Sequence, residues 1–162
     1  MTPFIEAIFV APKAGEAMVR VSEIAAIASR GLEGDRYAKG SGHYCPHDVC
    51  ELTLIEGEAL DRITISHGVH VLDGEHRRNI VSRGLVLRKL EGKRLRIDDV
   101  LLEYDRPRPP CGYVERLTGK GMTRALGEGA GICVRVLCSG MLREGAEIEV
   151  IDASERPTRG LP

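Results

Sequence analysis

The chain carries no excess of charge of either sign. Its 162 residues include 23 Lys and Arg against 24 Asp and Glu, which gives a formal net charge of −1. Such a chain has no overall basic field that would attract nucleic acid or an anionic membrane surface. We therefore expect neither as a partner, and any anion site has to be built from a local cluster of cations.

Two further features are missing. No charged lead and long apolar run open the sequence, where Glu6 already introduces an acid, so we expect no signal peptide, no membrane span and a cytoplasmic protein. There is also no Gly-rich loop that ends in Lys-Ser/Thr and no Gly-x-Gly-x-x-Gly between a strand and a helix. Nucleotide-dependent enzymes of those two kinds are therefore disfavoured.

What is present is typical of one soluble globular domain. Charged residues make up 29% and hydrophobic residues 43% of the chain, and its length suffices to bury a core. Strand patterns bounded by Gly and Pro predominate, and they predict hairpins around residues 11–16 and around Asp98 and Asp99. The predicted strands are 6–10, 18–24, 94–97, 100–104, 132–137 and 147–151.

Helical patterns are scarcer, and they predict short helices at 58–65 and 113–117. Many short strands with few helices indicate a mostly β fold, in which a strand-rich sheet bends toward a barrel and the helices are accessories. We expect one domain over residues 1–152 and a polar, Pro-bearing tail over residues 153–162.

The five cysteines form an odd set in a chain without an export signal, so we expect reduced thiols and no disulfide framework. Cys133 and Cys138 fall in or just after an apolar strand pattern, where a thiol packs as a small apolar side chain. Cys111 differs from them because it follows the run Arg106-Pro107-Arg108-Pro109-Pro110 and precedes Gly112.

The surroundings of Cys111 favour reactivity. Prolines would present the thiol at a fixed place, and the guanidinium groups of Arg106 and Arg108 would lower its pKa toward the thiolate. A thiolate is a nucleophile and a soft ligand for a metal such as molybdenum. The alternative is an idle cysteine in a Pro-rich loop.

Two other charged segments are candidate anion sites. In residues 30–40, turn glycines accompany Arg36 and Lys39, which can hold a phosphate while Asp35 orients one of them. In residues 74–81, an extended chain would project Arg77 and Asn79 to the same side, with Arg78 facing the other way. The alternative for both segments is a solvated charged loop.

A cluster at residues 43–50 offers possible zinc ligands, above all Cys45, His47 and Cys50. The spacing fits poorly, because no second Cys/His pair of typical spacing follows. Zinc is therefore disfavoured.

The order of these segments resembles the MOSC family, which is named from the C-terminal part of molybdenum cofactor sulfurases and also occurs as small stand-alone bacterial proteins. The resemblance covers most of the chain. It rests on five elements, namely 31–37, 52–60, 77–81, Pro110-Cys111 with 115–119, and 131–137.

The resemblance implies a β-barrel-like MOSC fold that binds molybdenum cofactor, or carries sulfur as a persulfide, through one cysteine, here Cys111. Some relatives reduce N-hydroxylated compounds. Partners would be molybdopterin and a sulfur-donor or redox protein, and 162 residues leave no room for a pyridoxal-phosphate desulfurase domain. The residues expected to bind the cofactor are Arg36, Lys39, Arg77, Asn79 and Arg108, with Cys111 as the ligand of molybdenum.

The chain departs from the family pattern in three places. Relatives often carry a second cysteine, as in Cys-Glu-Pro-Cys, where this chain has Arg108, so a local dithiol mechanism is excluded. A late Gly-Asp is replaced by Gly145-Ala146, and residues 126–130 lack an expected basic side chain. The hypotheses that compete with the cofactor are a partner-binding β-barrel scaffold without chemistry and a zinc-stapled domain.

Overall fold

The computed structural model describes residues 1–154 and contains eleven strands and three α-helices within them. Most of the predicted tail, 155–162, lies outside the described residues. The strands are β1 (Phe4–Val10), β2 (Val19–Val21), β3 (Glu23–Ile27), β4 (Gly31–Leu32), β5 (Leu52–Glu56), β6 (Ile80–Arg83), β7 (Lys93–Ile97), β8 (Val100–Pro107), β9 (Ile132–Cys138), β10 (Gly140–Arg143) and β11 (Glu149–Asp152). The helices are α1 (Gly57–His67), α2 (Gly112–Thr118) and α3 (Met122–Leu126), with 3₁₀ turns at Leu87–Lys89 and Gly127–Gly129.

Eight strands form one curled sheet in the order β11-β7-β8-β9-β5-β6-β1-β2, which gives the molecule a half-barrel. The other three form a small sheet in the order β10-β3-β4. Neighbouring strands are antiparallel except β5 and β6, which α1 connects as a parallel crossover. The prediction of a strand-rich, barrel-like fold with few short helices is confirmed.

Both predicted hairpins are present. Val10 pairs with Val19 across the first turn, and Ile97 pairs with Val100 across the second. In the second turn Asp98 takes a positive φ of 51°, which short side chains such as Asp tolerate better than branched ones. The small sheet was not predicted, because its strands are short and pair over long sequence distances.

Apolar side chains cover both faces of the large sheet. One face, with Ile5, Leu54 and Leu102, packs against the small sheet through Leu142. The opposite face, with Ala7, Phe9, Ile55 and Val81, packs against the three helices. The large sheet is therefore the central layer of the molecule. Strand β1 contributes apolar side chains to both of its faces.

Asn79 ties three strands together at the centre of this layer. It is fully buried, and its Oδ1 accepts hydrogen bonds from the Thr53 backbone N–H (3.1 Å) and the Thr53 hydroxyl (3.0 Å). Its Nδ2 donates to the Phe9 carbonyl at 3.1 Å. The expectation that Asn79 faces a ligand beside Arg77 is wrong, because Arg77 has a positive φ of 61° and the segment is not extended.

The sequence predicts no membrane span, and the helices of the described residues can be compared with that prediction. Among residues 1–154, no helix combines the length and the apolar character that a membrane span requires.

Replacing Asn79 with Ala tests its structural role. The change leaves the buried Thr53 hydroxyl and the Phe9 carbonyl without their amide partner, so we expect unfolding free energy to fall by about 2–4 kcal/mol. Urea denaturation followed by circular dichroism measures it. The control is Arg88→Ala at an exposed position, which is expected to change stability by less than about 0.5 kcal/mol. A loss as small as that of the control would contradict this role.

Candidate functional site: an arginine-lined pocket beside Cys111

A cavity of about 360 Å³ lies where β8 ends and the Pro-rich segment leads into α2. This size is within the usual range for small-molecule sites. Five arginines line it, and Asp48 is the one carboxylate among the lining residues. The lining residues are Arg36, Tyr37, His43, Tyr44, Asp48, Arg77, Arg78, Arg106, Pro107, Arg108, Pro109, Pro110, Cys111, Tyr113 and Val114.

Cys111 is half-buried at the start of α2. Burial alone would raise the pKa of its thiol, but hydrogen bonds from the Tyr44 hydroxyl and from the backbone N–H groups of Val114 and Tyr113, with the charge of Arg78, lower that pKa below the ordinary value. The Tyr44 pKa is raised by the same hydrogen bond. Tyr44 is therefore the donor, and its hydrogen bond stabilises the thiolate form of Cys111 relative to that of an ordinary cysteine.

Arg78 is the most deeply buried cation of the pocket, with 3% of its surface exposed. Its Nε donates to the Ala130 carbonyl at 2.6 Å and an Nη donates to the Arg108 carbonyl at 3.1 Å. Among the side chains that the structure describes, no carboxylate forms an ion pair with it. Burial lowers the Arg78 pKa, but a guanidinium stays charged in proteins, so no described carboxylate compensates its charge.

Arg77 and Arg36 lie on the neighbouring wall. Arg77 is 5% exposed and donates to the Glu16 carbonyl, again without a carboxylate partner within the described range. Arg36 forms an ion pair with buried Asp35 at 3.1 Å and donates to the Arg77 carbonyl at 3.1 Å. The expectation that Asp35 orients Arg36 agrees with this geometry.

Asp48 holds the remaining two guanidinium groups. Its carboxylate oxygens form ion pairs with Arg106 and Arg108, and Arg106 also donates to the Val49 carbonyl at 3.0 Å. Burial would raise the Asp48 pKa, but hydrogen bonds and charge from Arg108 and Arg106 lower it overall. One carboxylate thus serves two arginines and leaves the pocket with an excess of positive charge.

Aromatic rings form another part of the wall. His43 stacks on Tyr113 with ring centroids 3.6 Å apart and an interplanar angle of 9°, and Tyr44 meets Tyr113 edge-on. Tyr37 lies under the Arg36 guanidinium at 4.3 Å. Together these rings provide flat apolar surface beside the cations.

The structure brings together four of the six residues predicted from the sequence. Arg36, Arg77, Arg108 and Cys111 line the same pocket. Lys39 is exposed and is not among the lining residues, and Asn79 lies in the sheet interior. The positive φ of Arg77 turns the chain so that Arg78, which was expected to face away, points into the pocket with Arg77.

Several lining residues were missed, above all Arg78, Asp48 and three tyrosines. A signal for the tyrosines exists in the composition. The chain has only four tyrosines and no tryptophan, and three of the four line this one pocket. The position of these scarce aromatic residues next to charged segments was therefore a signal in the sequence for a ligand-binding site.

The cysteine and histidine cluster at residues 43–50 does not converge on a metal geometry. Within the described residues, the group of Cys, His, Asp and Glu side chains with metal-ligand spacing is His70, Asp73 and Glu75. It lies on an exposed loop, where such groups are common without an ion. His43 and Asp48 belong to the pocket instead.

Taken together, the pocket has guanidinium groups for a polyanion, aromatic faces for a planar ring and a thiolate as soft donor. Guanidinium groups bind phosphate through paired hydrogen bonds. A thiolate prefers soft metals or electrophilic sulfur. This combination suits a phosphate-bearing, ring-containing ligand with a reactive centre at Cys111.

Comparisons with known proteins place these features in a family context. A family model described as MOSC domain matches residues 46–149. The YuaD protein of Bacillus subtilis has a similar structure, with 20% identity, a TM-score of 0.75 and coverage of 93% of this chain and 96% of that chain. YiiM of Geobacillus stearothermophilus has 17% identity, a TM-score of 0.69 and coverage of 98% and 78%. A comparison with curated proteins finds no match.

Alkylation of Cys111 tests the hydrogen bond from Tyr44. Because the thiolate is the reacting form, the pH midpoint of alkylation follows the thiol pKa, and we expect it below the value of a free cysteine. Removing the hydroxyl in Tyr44→Phe is expected to raise the midpoint by roughly one pH unit. Mass spectrometry of the Cys111 peptide measures the reaction with iodoacetamide.

The matched control is Tyr104→Phe, because Tyr104 lies on β8 and is not among the lining residues. Its midpoint should equal that of the wild type. Equal midpoints in Tyr44→Phe and Tyr104→Phe would show that the phenol does not act on the thiol.

Proposed function

The chain belongs to the MOSC domain family, and from this premise we propose that its arginine-lined pocket binds molybdenum cofactor with Cys111 as the protein ligand of molybdenum. The family is associated with this cofactor. A pocket for this cofactor has to bind a phosphate, a pterin ring and a metal at once, and the arginines, aromatic rings and Cys111 of this pocket suit those three parts.

The observation that carries the proposal is the uncompensated charge of Arg78 and Arg77. Burying a guanidinium group without an anionic partner lowers the stability of the fold by several kcal/mol. Both side chains donate to carbonyls and have no carboxylate partner among the side chains that the structure describes. A ligand phosphate would supply the missing charge through charge-assisted hydrogen bonds.

The thiol of Cys111 supports the second part of the proposal. A thiolate is a suitable protein ligand for molybdenum, and the lowered pKa of Cys111 favours that form more than in an ordinary cysteine. The hydrogen bonds from Tyr44 and the backbone of α2 also fix the direction of the sulfur. In this way the chain holds one ligand ready without a second cysteine.

The aromatic wall supports the third part. Tyr113, stacked on His43, and Tyr44 offer flat faces that suit a pterin ring and limit the access of water. Volume agrees with this assignment, since about 360 Å³ lies in the range of pockets for ligands of that size.

When bound, the cofactor supplies two-electron redox chemistry at molybdenum. The chain's own contribution is to hold the phosphate with Arg77 and Arg78, to orient Arg106 and Arg108 through Asp48, and to present the Cys111 thiolate. Within the same proposal, we assign the reaction class as reduction of N-hydroxylated compounds, with electrons from a partner redox protein. Carriage of sulfur on Cys111 as a persulfide is the competing use of the same thiolate.

Elemental and pterin analysis tests the cofactor. Protein purified from a host that makes molybdenum cofactor is expected to contain molybdenum and pterin in near-equal amounts. Cys111→Ser should contain less molybdenum and less pterin, because the cofactor loses its one thiolate ligand from the protein. The control is Cys138→Ser, since Cys138 is exposed on β9.

Two outcomes would contradict this assignment. One is a wild-type protein with neither molybdenum nor pterin, which would favour the partner-binding scaffold. The other is a Cys111→Ser protein with the molybdenum content of the wild type. An added sulfur atom on Cys111 in a protein without molybdenum would identify a sulfur carrier instead.

Binding of inorganic phosphate tests the arginines separately. Arg108→Gln removes one guanidinium but keeps the backbone bonds of residue 108 to Gly131 and Arg78. We expect phosphate affinity, measured by calorimetry, to fall about tenfold, or ~1.4 kcal/mol. Arg88→Gln makes the same charge change at an exposed position and should bind as the wild type does. Equal losses in both variants would indicate a general charge effect and no site.

A further inference from the structure

Two thiols outside the pocket lie unusually close together. The Sγ atoms of Cys50 and Cys133 are 2.8 Å apart, and the side chains are 5% and 0% exposed. We propose that Cys50 and Cys133 form an oxidation site, which reacts with a hydroperoxide to give a reversible intramolecular disulfide. The site is independent of Cys111 and of the ligand that the arginine-lined pocket binds.

The sheet itself brings the two sulfurs together. Cys133 lies on β9, whose neighbour in the sheet is β5, and Thr53 pairs with Cys133 in that ladder. Cys50 lies two residues before β5. An S–S bond is ~2.05 Å long, so a relative movement of the two sulfurs of less than about 1 Å brings them to bonding distance.

The ionisation of the pair favours reaction. The hydrogen bond from the Cys50 thiol, opposed by burial and aided by the charges of Arg108, Arg106 and Arg78, lowers the Cys133 pKa. The same contact, together with burial, raises the Cys50 pKa. Cys133 is therefore the sulfur of the pair that ionises more readily, and the arginines stabilise its negative charge. Transfer of the Cys50 proton across 2.8 Å exchanges thiol and thiolate between the two residues.

A route for a small oxidant exists on the Cys50 side. A cleft of about 70 Å³ is lined by Cys50 together with Tyr37, Cys45 and Arg108. A buried water needs roughly 10–15 Å³ of such space, so hydrogen peroxide fits. Cys133 does not line this cleft, which makes Cys50 the sulfur that a peroxide meets first.

The reaction balances with hydrogen peroxide as the oxidant. As the Cys50 sulfur attacks one peroxide oxygen, its proton passes to the Cys133 thiolate, the O–O bond breaks, and the hydroxide that leaves takes that proton from Cys133 to become water. The Cys133 thiolate then attacks the Cys50 sulfenic sulfur, the S–O bond breaks, and the second hydroxide is protonated by solvent. Two thiols are oxidised, one peroxide is reduced, and two waters leave.

Thiol counting and peptide mapping of the full chain, as purified, test the proposal. After treatment with a small excess of hydrogen peroxide and alkylation in denaturant, we expect the Cys50 and Cys133 peptides to lose their alkylation together. A peptide pair joined through Cys50 and Cys133 should appear without reductant and disappear with dithiothreitol. Cys111→Ser is the matched control and should form the same joined pair.

Cys50→Ala is a second variant, which keeps a small apolar side chain at the buried position. Its Cys133 should be oxidised about tenfold more slowly than in the wild type, because the partner that meets the peroxide is missing. The proposal is overturned if Cys50 and Cys133 remain fully alkylatable while other cysteines oxidise. It is equally overturned if either joins another cysteine or a second chain. These measurements do not involve molybdenum or pterin, so this proposal and the cofactor proposal fail separately.

Discussion

The side chain of Arg78 carries a positive charge where water does not reach, and its guanidinium is held by the carbonyls of Ala130 and Arg108. Those two carbonyls belong to the loop before β9 and to the Pro-rich segment after β8. One buried cation therefore joins the start of β6 to both segments that surround Cys111. A buried charge destabilises the fold unless it is well hydrogen-bonded. Both segments therefore have to stay where their carbonyls can accept hydrogen bonds from Arg78.

The electrostatics of the pocket follow from the same constraint. A chain with a net charge of −1 has no overall basic field, yet five guanidinium groups line a single cavity, and the described carboxylates that pair with them are those of Asp35, Asp48 and Asp105. Asp48 binds Arg106 and Arg108 and leaves Arg77 and Arg78 to carbonyls. The fold thus concentrates positive charge around one cavity, while many of the acidic side chains form ion pairs in other parts of the molecule. A nearly neutral protein can offer a local site for an anion in this way.

The sequence allowed the local features to be predicted. Alternation and turn residues identified both hairpins and helix α1, because these depend on neighbours in the chain. Arg78 and Asn79 were assigned to the wrong sides, because one residue with positive φ, Arg77, reverses the alternation. Asp48 was missed because its partners are 58 and 60 residues away, and periodicity carries no information at that distance.

Arg108 explains why the chain has one thiol in the pocket and a separate pair in the sheet. The family resemblance leads us to expect a second cysteine, as in Cys-Glu-Pro-Cys, at the position of Arg108. Here that side chain binds Asp48, and its charge also lies near Cys133 and Cys50. A cysteine at this position would leave Asp48 with one partner fewer. The presence of one thiol in the pocket is therefore tied to the pocket's charge balance, and the close pair of thiols lies on β9 and two residues before β5.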